Sequence, residues 1–295
     1  MDYNEGRTDL AVELNEKLSK KSGSLKGVIV REFNDSDTSI KVTEIRITDE
    51  QGARAIGKPQ GSYITIEARN ISGASEVYKK KTSDILTQYI KKLLDDNTKG
   101  SKKRTLLIAG LGNRDITSDS LGPLVVEGLD VDYHINKAEG DGGICAIIPG
   151  VMADTGLETA DIIKGIAKQV KPSAVIVIDA LAARNISRLN TTIQLSDRGI
   201  NPGSGVGNHR VGINEDNIGC PVLAIGVPTV IDAFTIAVDL VSPLMEQCSA
   251  QEKQDFFSEI YKAGISDMYV TPKAIDTDIW NISEVISGAV NALKQ

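Results

Sequence analysis

The sequence predicts an α/β fold, a three-layer sandwich in which helices cover both faces of a largely parallel or mixed central sheet. Four near-continuous apolar runs carry this prediction, at 105–110, 144–148, 174–179 and 221–227. Helical patterns separate these runs, near 119–130, 157–170 and 229–247. Strands buried on both faces appear as unbroken apolar runs, and their alternation with helices is typical of a sheet covered on both sides.

The first third of the chain is predicted to be mostly β. Strand-like segments lie at 27–33, 40–47 and 63–67. The middle segment alternates apolar and polar residues, which indicates a sheet with one face in solvent. A short helix is expected over 49–56 and a longer one over 75–94, where apolar residues recur at helical spacing.

In the remainder of the chain, three further elements follow from local pattern. Residues 188–194 form a strand pattern that is expected at an edge of the sheet. Pro243 should kink or end the helix begun near residue 229, because proline cannot donate a backbone hydrogen bond. The segment 277–293 is predicted to be a closing helix.

Composition excludes several classes of function. The 295 residues carry a net charge of -7, with a pI near 5.1, which argues against nucleic acid as the main partner. The basic run 99–104 is interpreted as a solvated linker. No apolar stretch approaches the roughly 18 residues needed to cross a bilayer, and the polar, acidic start is unlike a signal peptide. We therefore expect a soluble, cytoplasmic protein without a membrane partner.

Cysteine and histidine usage gives no sign of a metal site or other cofactor. The three cysteines, Cys145, Cys220 and Cys248, have no CxxC spacing, which fits free thiols in a reducing compartment. The only histidines are His134 and His209. We expect neither a metal ion nor another cofactor.

Two aspartates are the best candidates for catalysis. Asp179 ends the apolar run 174–179, and Asp119 lies in the loop after the run 105–110. Ligands gather outside the carboxyl ends of parallel strands, and an unpaired buried carboxylate is costly as a purely structural feature. Two carboxyl groups that share a proton can activate water for hydrolysis.

Each aspartate also has a structural interpretation. Asp119 is suitably placed to cap a helix over 121–129, and Asp179 could pair with Arg184. The residues alone therefore leave open whether these groups form an acidic dyad or stabilise the fold.

Three other motifs are weaker. Gly110-Leu-Gly-Asn113 lacks the third glycine of a dinucleotide-binding turn, because position 115 is Asp115. The glycine-rich segment 202–208 lacks a P-loop ending and the spacing for a serine nucleophile, so Ser204 and His209 are interpreted as part of a surface loop. Asp154-Thr155-Gly156 matches an aspartic protease signature, but Thr155 and Glu158 are spaced as a capping box at a helix start.

Several longer segments together resemble the spore germination proteases of endospore-forming Gram-positive bacteria, over nearly the full chain. The matching segments are Arg7-Thr-Asp-Leu-Ala-Val-Glu13, Ala55-Ile-Gly57, Gly61-x-Tyr-x-Thr-x-Glu67, Gly110-Leu-Gly-Asn113, Asp119-x-Leu-Gly-Pro123, Pro149-Gly-Val-Met152, Ile178-Asp-Ala-Leu-Ala-Ala-Arg184, Pro202-Gly-Ser-Gly-Val-Gly-Asn208, Ala224-Ile-Gly-x-Pro-Thr-Val230 and Val270-Thr-Pro272. The fold of that family is similar to that of hydrogenase maturation proteases, within the phosphorylase/hydrolase-like class.

The resemblance implies an endopeptidase that degrades small acid-soluble spore proteins in the spore core during germination. It implies an atypical aspartic peptidase whose catalytic residues fall on Asp119 and Asp179, and a homotetramer. Thr8-Asp9-Leu10-Ala11-Val12-Glu13 resembles the segment that the family cuts in its substrates. We therefore predict a zymogen that cleaves itself between Asp9 and Leu10, which divides the chain into a propeptide (1–9), a β-rich part (10–98) and a catalytic core (99–295).

Two other functions stay open at this point. Asp119, Asp179 and a histidine could ligate a metal ion in a metal-assisted hydrolase of the hydrogenase-maturation type. The same cleft could instead belong to a non-catalytic protein that binds spore proteins without cutting them.

Overall fold

The computed structural model describes residues 8–22, 25–35, 38–69, 71–98, 104–136, 142–203, 210–245, 248–262, 264–265 and 268–294. Its strands are β1 (Val28–Asn34), β2 (Lys41–Ile47), β3 (Gly61–Glu67), β4 (Thr105–Gly110), β5 (Gly143–Ile147), β6 (Ala174–Ala183), β7 (Thr192–Ser196), β8 (Val222–Asp232) and β9 (Tyr269–Val270). Its helices are α1 (Ala11–Ser22), α2 (Glu50–Ile56), α3 (Glu76–Asn97), α4 (Leu121–Glu127), α5 (Tyr133–Asn136), α6 (Met152–Thr155), α7 (Thr159–Val170), α8 (Glu215–Ile218), α9 (Ala233–Val241), α10 (Ala250–Lys262) and α11 (Ile275–Asn291).

The described strands form one mixed sheet in the order β1-β2-β3-β7-β8-β6-β4-β5, with β9 paired to β8. The pairs β4–β5, β4–β6 and β6–β8 are parallel, and the pairs from β1 through β7 to β8 are antiparallel. The α/β prediction is confirmed. Strands from both predicted parts of the chain belong to this sheet, and their division at residues 98 and 99 stays a prediction.

Helices cover both faces of the sheet. Successive side chains of a strand point to opposite sides, so each strand packs against helices on both faces. In β4, Ile108 packs into the core formed with α3, α4 and α11, whereas Leu107 packs into the core formed with α7. A third apolar cluster joins α1 and α2 to the sheet and contains the fully buried Leu10. This third cluster anchors the start of the described chain against the sheet.

The position predicted for the strand at 188–194 was wrong. The strand is β7, and it lies inside the sheet between β3 and β8 instead of at an edge. Apolar and polar residues alternate in this strand because its two faces differ. Ile193 and Leu195 pack into the main core, whereas Gln194 on the opposite face contacts the segment around residues 9–11. All five residues of β7 are buried, so polar side chains here face other protein groups.

The helix expected from residue 229 begins later. Residues 229–232 extend β8, and α9 starts at Ala233. The Asp232 carboxylate accepts hydrogen bonds from the backbone N–H groups of Phe234 and Thr235, at 2.7 and 3.2 Å. These bonds satisfy donors at the start of the helix, which therefore begins four residues after the predicted position. The α9 helix ends at Val241, two residues before Pro243.

Candidate active site

The two predicted aspartates lie in one cavity at the carboxyl ends of β4 and β6. The cavity has a volume of about 340 Å³, and its lining includes Asp9, Asp119 and Asp179. Asp179 is part of β6, whose apolar run continues past it to Ala183. The structure thus brings both candidates together, and their catalytic role stays a prediction.

Backbone geometry fixes the loop that carries Asp119. The Leu111 N–H donates to the Ile178 carbonyl at 2.8 Å, which ties the loop to β6. The Thr229 hydroxyl donates to the Ser118 carbonyl at 2.6 Å, which ties the loop to β8. Gly112 has a φ of +105°, and a Cβ added there would lie 2.0 Å from the Asp119 carbonyl oxygen. This close approach requires glycine, which explains the second glycine of the Gly110-Leu-Gly-Asn113 motif.

Asp179 is 7% exposed, and its environment favours the protonated form. Burial raises the pKa of its carboxyl group well above the ordinary value, and the negative charges of Asp119 and Asp9 raise it further. One backbone hydrogen bond opposes this effect, because the Ala180 N–H donates to Asp179 Oδ1 at 3.0 Å. The cavity therefore holds a carboxyl group that keeps its proton at a higher pH than a free aspartate.

Asp119 is half-buried, and its surroundings disfavour the charged form less than those of Asp179 do. Burial raises its pKa, whereas the Asn113 N–H, 2.8 Å from Oδ2, and the positive charge of Arg210 lower it. The net shift is upward. The two carboxyl groups have different surroundings, which is the condition for one to act as an acid while the other acts as a base.

Neither aspartate makes the structural contact that the sequence suggested for it. Arg184 pairs with Asp239 at 3.1 Å. Ser120 occupies the capping position of α4 and makes no side-chain capping bond there. Asp119 instead accepts from the N–H of Asn113 in its own loop.

The predicted processing site lies against the same cavity. The Asp9 N–H donates to the Ala182 carbonyl at 3.1 Å, and the Ala182 N–H donates to Asp9 Oδ2 at 3.0 Å. Leu10 and Ala11 are fully buried. The segment is thus bound along the end of β6, close enough for the charge of Asp9 to act on Asp179.

Glu13 anchors the other end of this segment. Its carboxylate accepts hydrogen bonds from the N–H groups of Arg184 and Asn185, both at 2.9 Å, and from the hydroxyl of Thr8. The Arg188 guanidinium lies 3.7 Å away. Burial nevertheless raises the pKa of Glu13 above its ordinary value, because desolvation outweighs these contacts. Nothing in the sequence predicted this contact between α1 and the residues after β6.

A second cavity, of about 450 Å³, continues on the other side of Asp9. It shares Asp9, Leu181, Ile200 and Asn201 with the first cavity and is also lined by Lys58. Burial lowers the pKa of the Lys58 ammonium, and the negative charge of Asp9 opposes that shift. Lys58 directly follows the Ala55-Ile-Gly57 motif, which was the only signal for it in the sequence.

The other motifs have structural roles or lie partly outside the described residues. Pro202 and Gly203 line the first cavity, whereas Ser204 and His209 are outside the described residues. The prediction that Asp154-Thr155-Gly156 begins a helix through a capping box was wrong. The triplet ends α6, and the Thr155 hydroxyl accepts from the Leu157 N–H at 3.2 Å. Glu158 precedes α7 without a side-chain capping bond.

In the described part of the chain, no group of three or more His, Cys, Asp or Glu side chains is arranged to hold a metal ion. None of the helices there has the length and apolar character required to cross a bilayer.

Comparison with known proteins identifies the family. A family model described as germination protease matches residues 5–249. The chain belongs to the germination protease family. It is therefore a protease, as the sequence motifs predicted, and membership supports a role in spore germination.

Three germination proteases illustrate the similarity. That of Clostridium tetani is 39% identical over 313 residues, covering 98% of this chain and 95% of the relative. That of Caldanaerobacter subterraneus subsp. tengcongensis is 42% identical over 312 residues, with 98% and 94% covered. That of Bacillus subtilis is 44% identical over 259 residues, with 84% and 69% covered.

Among solved structures, the chain is similar to a [NiFe] hydrogenase maturation protease HycI from Thermococcus kodakarensis. The TM-score is 0.35 at 16% sequence identity, with 67% of this chain and 98% of that chain covered.

Proposed function

We propose that this germination protease is an endopeptidase of aspartic type that is made as a zymogen and cleaves itself between Asp9 and Leu10. One observation carries the proposal. The backbone of Asp9 is bound at the end of β6, in a cavity that is also lined by the carboxyl groups of Asp119 and Asp179. A peptide bond that matches the predicted cleavage motif thus lies beside two acids, one of which has a strongly raised pKa.

The chemistry is hydrolysis with one shared proton. Asp179 holds the proton and Asp119 is ionised, in keeping with their different surroundings. Asp119 takes a proton from water, whose oxygen bonds to the carbonyl carbon of Asp9. A proton then passes from the dyad to the Leu10 nitrogen as the C–N bond breaks. The products are a carboxylic acid at Asp9 and an amine at Leu10, which account for all atoms of the water.

The substrates proposed for the processed enzyme are small acid-soluble spore proteins. The support is the chain's own segment, Thr8-Asp9-Leu10-Ala11-Val12-Glu13, which resembles the sequence cut in those proteins. Its acidic residues have binding groups in the structure: the Ala182 N–H for Asp9, and two backbone N–H groups for Glu13. A substrate that carries the same residues could use the same groups.

Intact-mass spectrometry after mild acidification and dehydration tests this proposal. We expect the wild-type chain to lose Met1 to Asp9 and to expose Leu10 as its new N-terminus. Asp119→Asn and Asp179→Asn should each slow this loss by about 10²–10⁴-fold, the usual contribution of general acid–base catalysis, and by similar factors because the two groups act as a unit.

The same assay decides between the alternatives. Cleavage of wild type should persist in excess chelator, and a chelator-sensitive reaction would instead indicate metal-assisted hydrolysis. A folded Asp179→Asn chain that still cleaves at Leu10 would remove the dyad from the mechanism. A chain that binds a Thr-Glu-Phe-Ala-Ser-Glu peptide and leaves it whole would be a binding protein.

A further inference from the structure

Gln194 makes two hydrogen bonds to the backbone that flanks the Asp9–Leu10 bond. Its Nε2 donates to the carbonyl oxygen of Asp9 at 3.2 Å, and its Oε1 accepts from the N–H of Ala11 at 2.7 Å. The side chain is 8% exposed. The Asp9 carbonyl belongs to the very peptide bond whose cleavage is proposed above, so Gln194 touches the oxygen on which negative charge develops during hydrolysis.

Strand register places Gln194 and Asp179 on the same face of the sheet. Gln194 in β7 pairs with Gly226 in β8, and Gly226 pairs with Asp179 in β6. One sequence neighbour of each residue confirms the alignment. These neighbours are Leu195, Ile225 and Ile178, and all three pack into the main core on the opposite face. The amide and the acid therefore lie in one row across the sheet, separated by a residue without a side chain.

Gly226 leaves room on this face of the sheet for the side chain of Leu181. A Cβ at this position would lie 2.4 Å from Leu181 Cδ1. Leu181 and Gly226 both line the second cavity, and Leu181 also lines the first. Leu181 thus lies over Gly226, between Asp179, which lines the first cavity, and Gln194, which lines the second; Asp9 lines both cavities.

We propose that Gln194 is a catalytic residue that binds the carbonyl oxygen of the scissile peptide and stabilises its negative charge. This inference rests on the proposed cleavage at Asp9–Leu10. When water oxygen bonds to the carbonyl carbon, the π-electron pair moves to the carbonyl oxygen, which accepts from Gln194 Nε2. As the tetrahedral carbon collapses, the pair re-forms the carbonyl, the C–N bond breaks and the Leu10 nitrogen takes a proton from the dyad.

A neutral amide suits this position because it provides one donor and one acceptor. Nε2 donates to the Asp9 carbonyl and Oε1 accepts from the Ala11 N–H. A single side chain therefore orients the backbone on both sides of the Asp9–Leu10 bond. A carboxylate at the same place would keep the acceptor, but it would repel the developing oxyanion. Comparing Gln with Glu at this position therefore distinguishes stabilisation of the oxyanion, which needs the donor, from anchoring of the segment through the Ala11 N–H, which needs only the acceptor.

The test uses the full chain and measures the first-order rate of self-cleavage from pH 5 to 8. Gln194→Met removes both hydrogen bonds, and Gln194→Glu keeps the acceptor for Ala11. Thr192→Val is the matched control, since Thr192 is a buried polar residue of the same strand and face. We expect Gln194→Met to slow cleavage by about 10²–10³-fold, the usual loss for one oxyanion donor, and Thr192→Val to cleave at the wild-type rate.

Gln194→Glu gives the sharper result. At pH 8 it should cleave as slowly as Gln194→Met, and its rate relative to wild type should recover on acidification, because the protonated carboxyl can donate to the Asp9 carbonyl. Hydrogen exchange at the Ala11 amide should match wild type in this variant, since its acceptor is retained. Thermal unfolding of all three variants checks that they fold.

Three outcomes would overturn the role of Gln194. These are wild-type cleavage by Gln194→Met, a slow Gln194→Glu that does not recover at low pH, and a slow Gln194→Glu whose Ala11 amide exchanges faster. The last two would make Gln194 an anchor of the N-terminal segment. Failure of the wild-type chain to cleave at Leu10, or cleavage by Asp179→Asn, would instead defeat the proposed function itself.

Discussion

At the scale of single residues, the buried carboxyl group of Asp179 lowers the stability of the fold at neutral pH but suits the proposed chemistry. Burial and two neighbouring negative charges raise its pKa, so ionising it inside the folded protein is unfavourable. The same property lets the group hold a proton for transfer to a leaving nitrogen. Active sites often retain groups that reduce stability because function needs them.

This conflict predicts a pH-dependent gain in stability for Asp179→Asn. The folded protein binds the Asp179 proton more tightly than the unfolded chain, so the wild-type carboxyl costs no stability below the unfolded pKa of about 3.9. Its cost grows as pH rises from there toward the raised folded pKa. Asparagine is always neutral, and we expect it to raise the free energy of unfolding at pH 7 by about 1.4 kcal/mol for each unit by which the folded pKa, up to that pH, exceeds the unfolded one.

Urea denaturation of uncleaved chains from pH 4 to 7.5 measures this gain. The difference between variant and wild type should shrink to near zero at about pH 4. A difference that is constant over this range, or a variant less stable at pH 7, would contradict the raised pKa of Asp179.

At the scale of secondary-structure elements, Glu13 couples helix α1 to the end of β6. It accepts two backbone N–H groups there and is 7% exposed. The N–H groups of Arg184 and Asn185 follow the last residue of β6, so they lack partners within a strand ladder. A carboxylate from another element satisfies them, which fixes the register of the segment that precedes α1.

Glu13→Gln should therefore loosen the N-terminal segment. An amide offers only one acceptor oxygen, and its NH₂ group faces a backbone donor, so about 1–3 kcal/mol is lost. We expect hydrogen exchange at Leu10 and Ala11 to accelerate by about tenfold or more, and self-cleavage to slow. The control is Glu16→Gln on the same helix, whose more exposed carboxylate pairs with Arg188. Equal acceleration in both variants would contradict a specific role for Glu13.

The sequence predicted most elements because their patterns are local. The runs at 105–110 and 174–179 are apolar on both faces, and the middle strand of the β-rich part alternates. The β7 strand was misplaced because polar residues buried against another segment give the same alternation as polar residues in water. The start of α9 was misjudged because residues 229–232, which include three β-branched side chains, continue β8 instead.

The candidate site was predictable only in part, for the same reason. Asp119 and Asp179 were identified because Asp119 follows one apolar run and Asp179 ends another. Gln194 gives no motif, and its importance comes from contact with Asp9, 185 residues away in the chain. A single sequence does not reveal such a long-range pairing, whereas the register of β7, β8 and β6 makes it evident.

At the scale of the whole molecule, β1 is an edge strand among the strands that the structure describes. Six of the seven residues of this strand are exposed, among them Ile29, Val30 and Phe33. Open edges with exposed apolar side chains favour pairing with another chain. We propose that this edge contributes to self-association, for which the family resemblance implies a homotetramer.

Phe33→Lys tests this surface. Phe33 is 49% exposed, and a charge there should disfavour burial against a second copy, so light scattering should report a smaller particle than for wild type. Val77→Lys is the control, because Val77 is 78% exposed on α3 and should leave the mass unchanged. A wild-type mass for Phe33→Lys would exclude an interface centred on β1.

The complete burial of Leu10 has a consequence for what happens once its peptide bond is cut. Hydrolysis would turn a neutral amide nitrogen into an ammonium ion within an apolar cluster, and would add a carboxylate at Asp9 beside the two acids of the dyad. Both new ions are poorly solvated there, so the severed ends should part and resist rejoining. Maturation would then run in one direction, and release of the propeptide would empty the groove in which we propose that a spore protein binds.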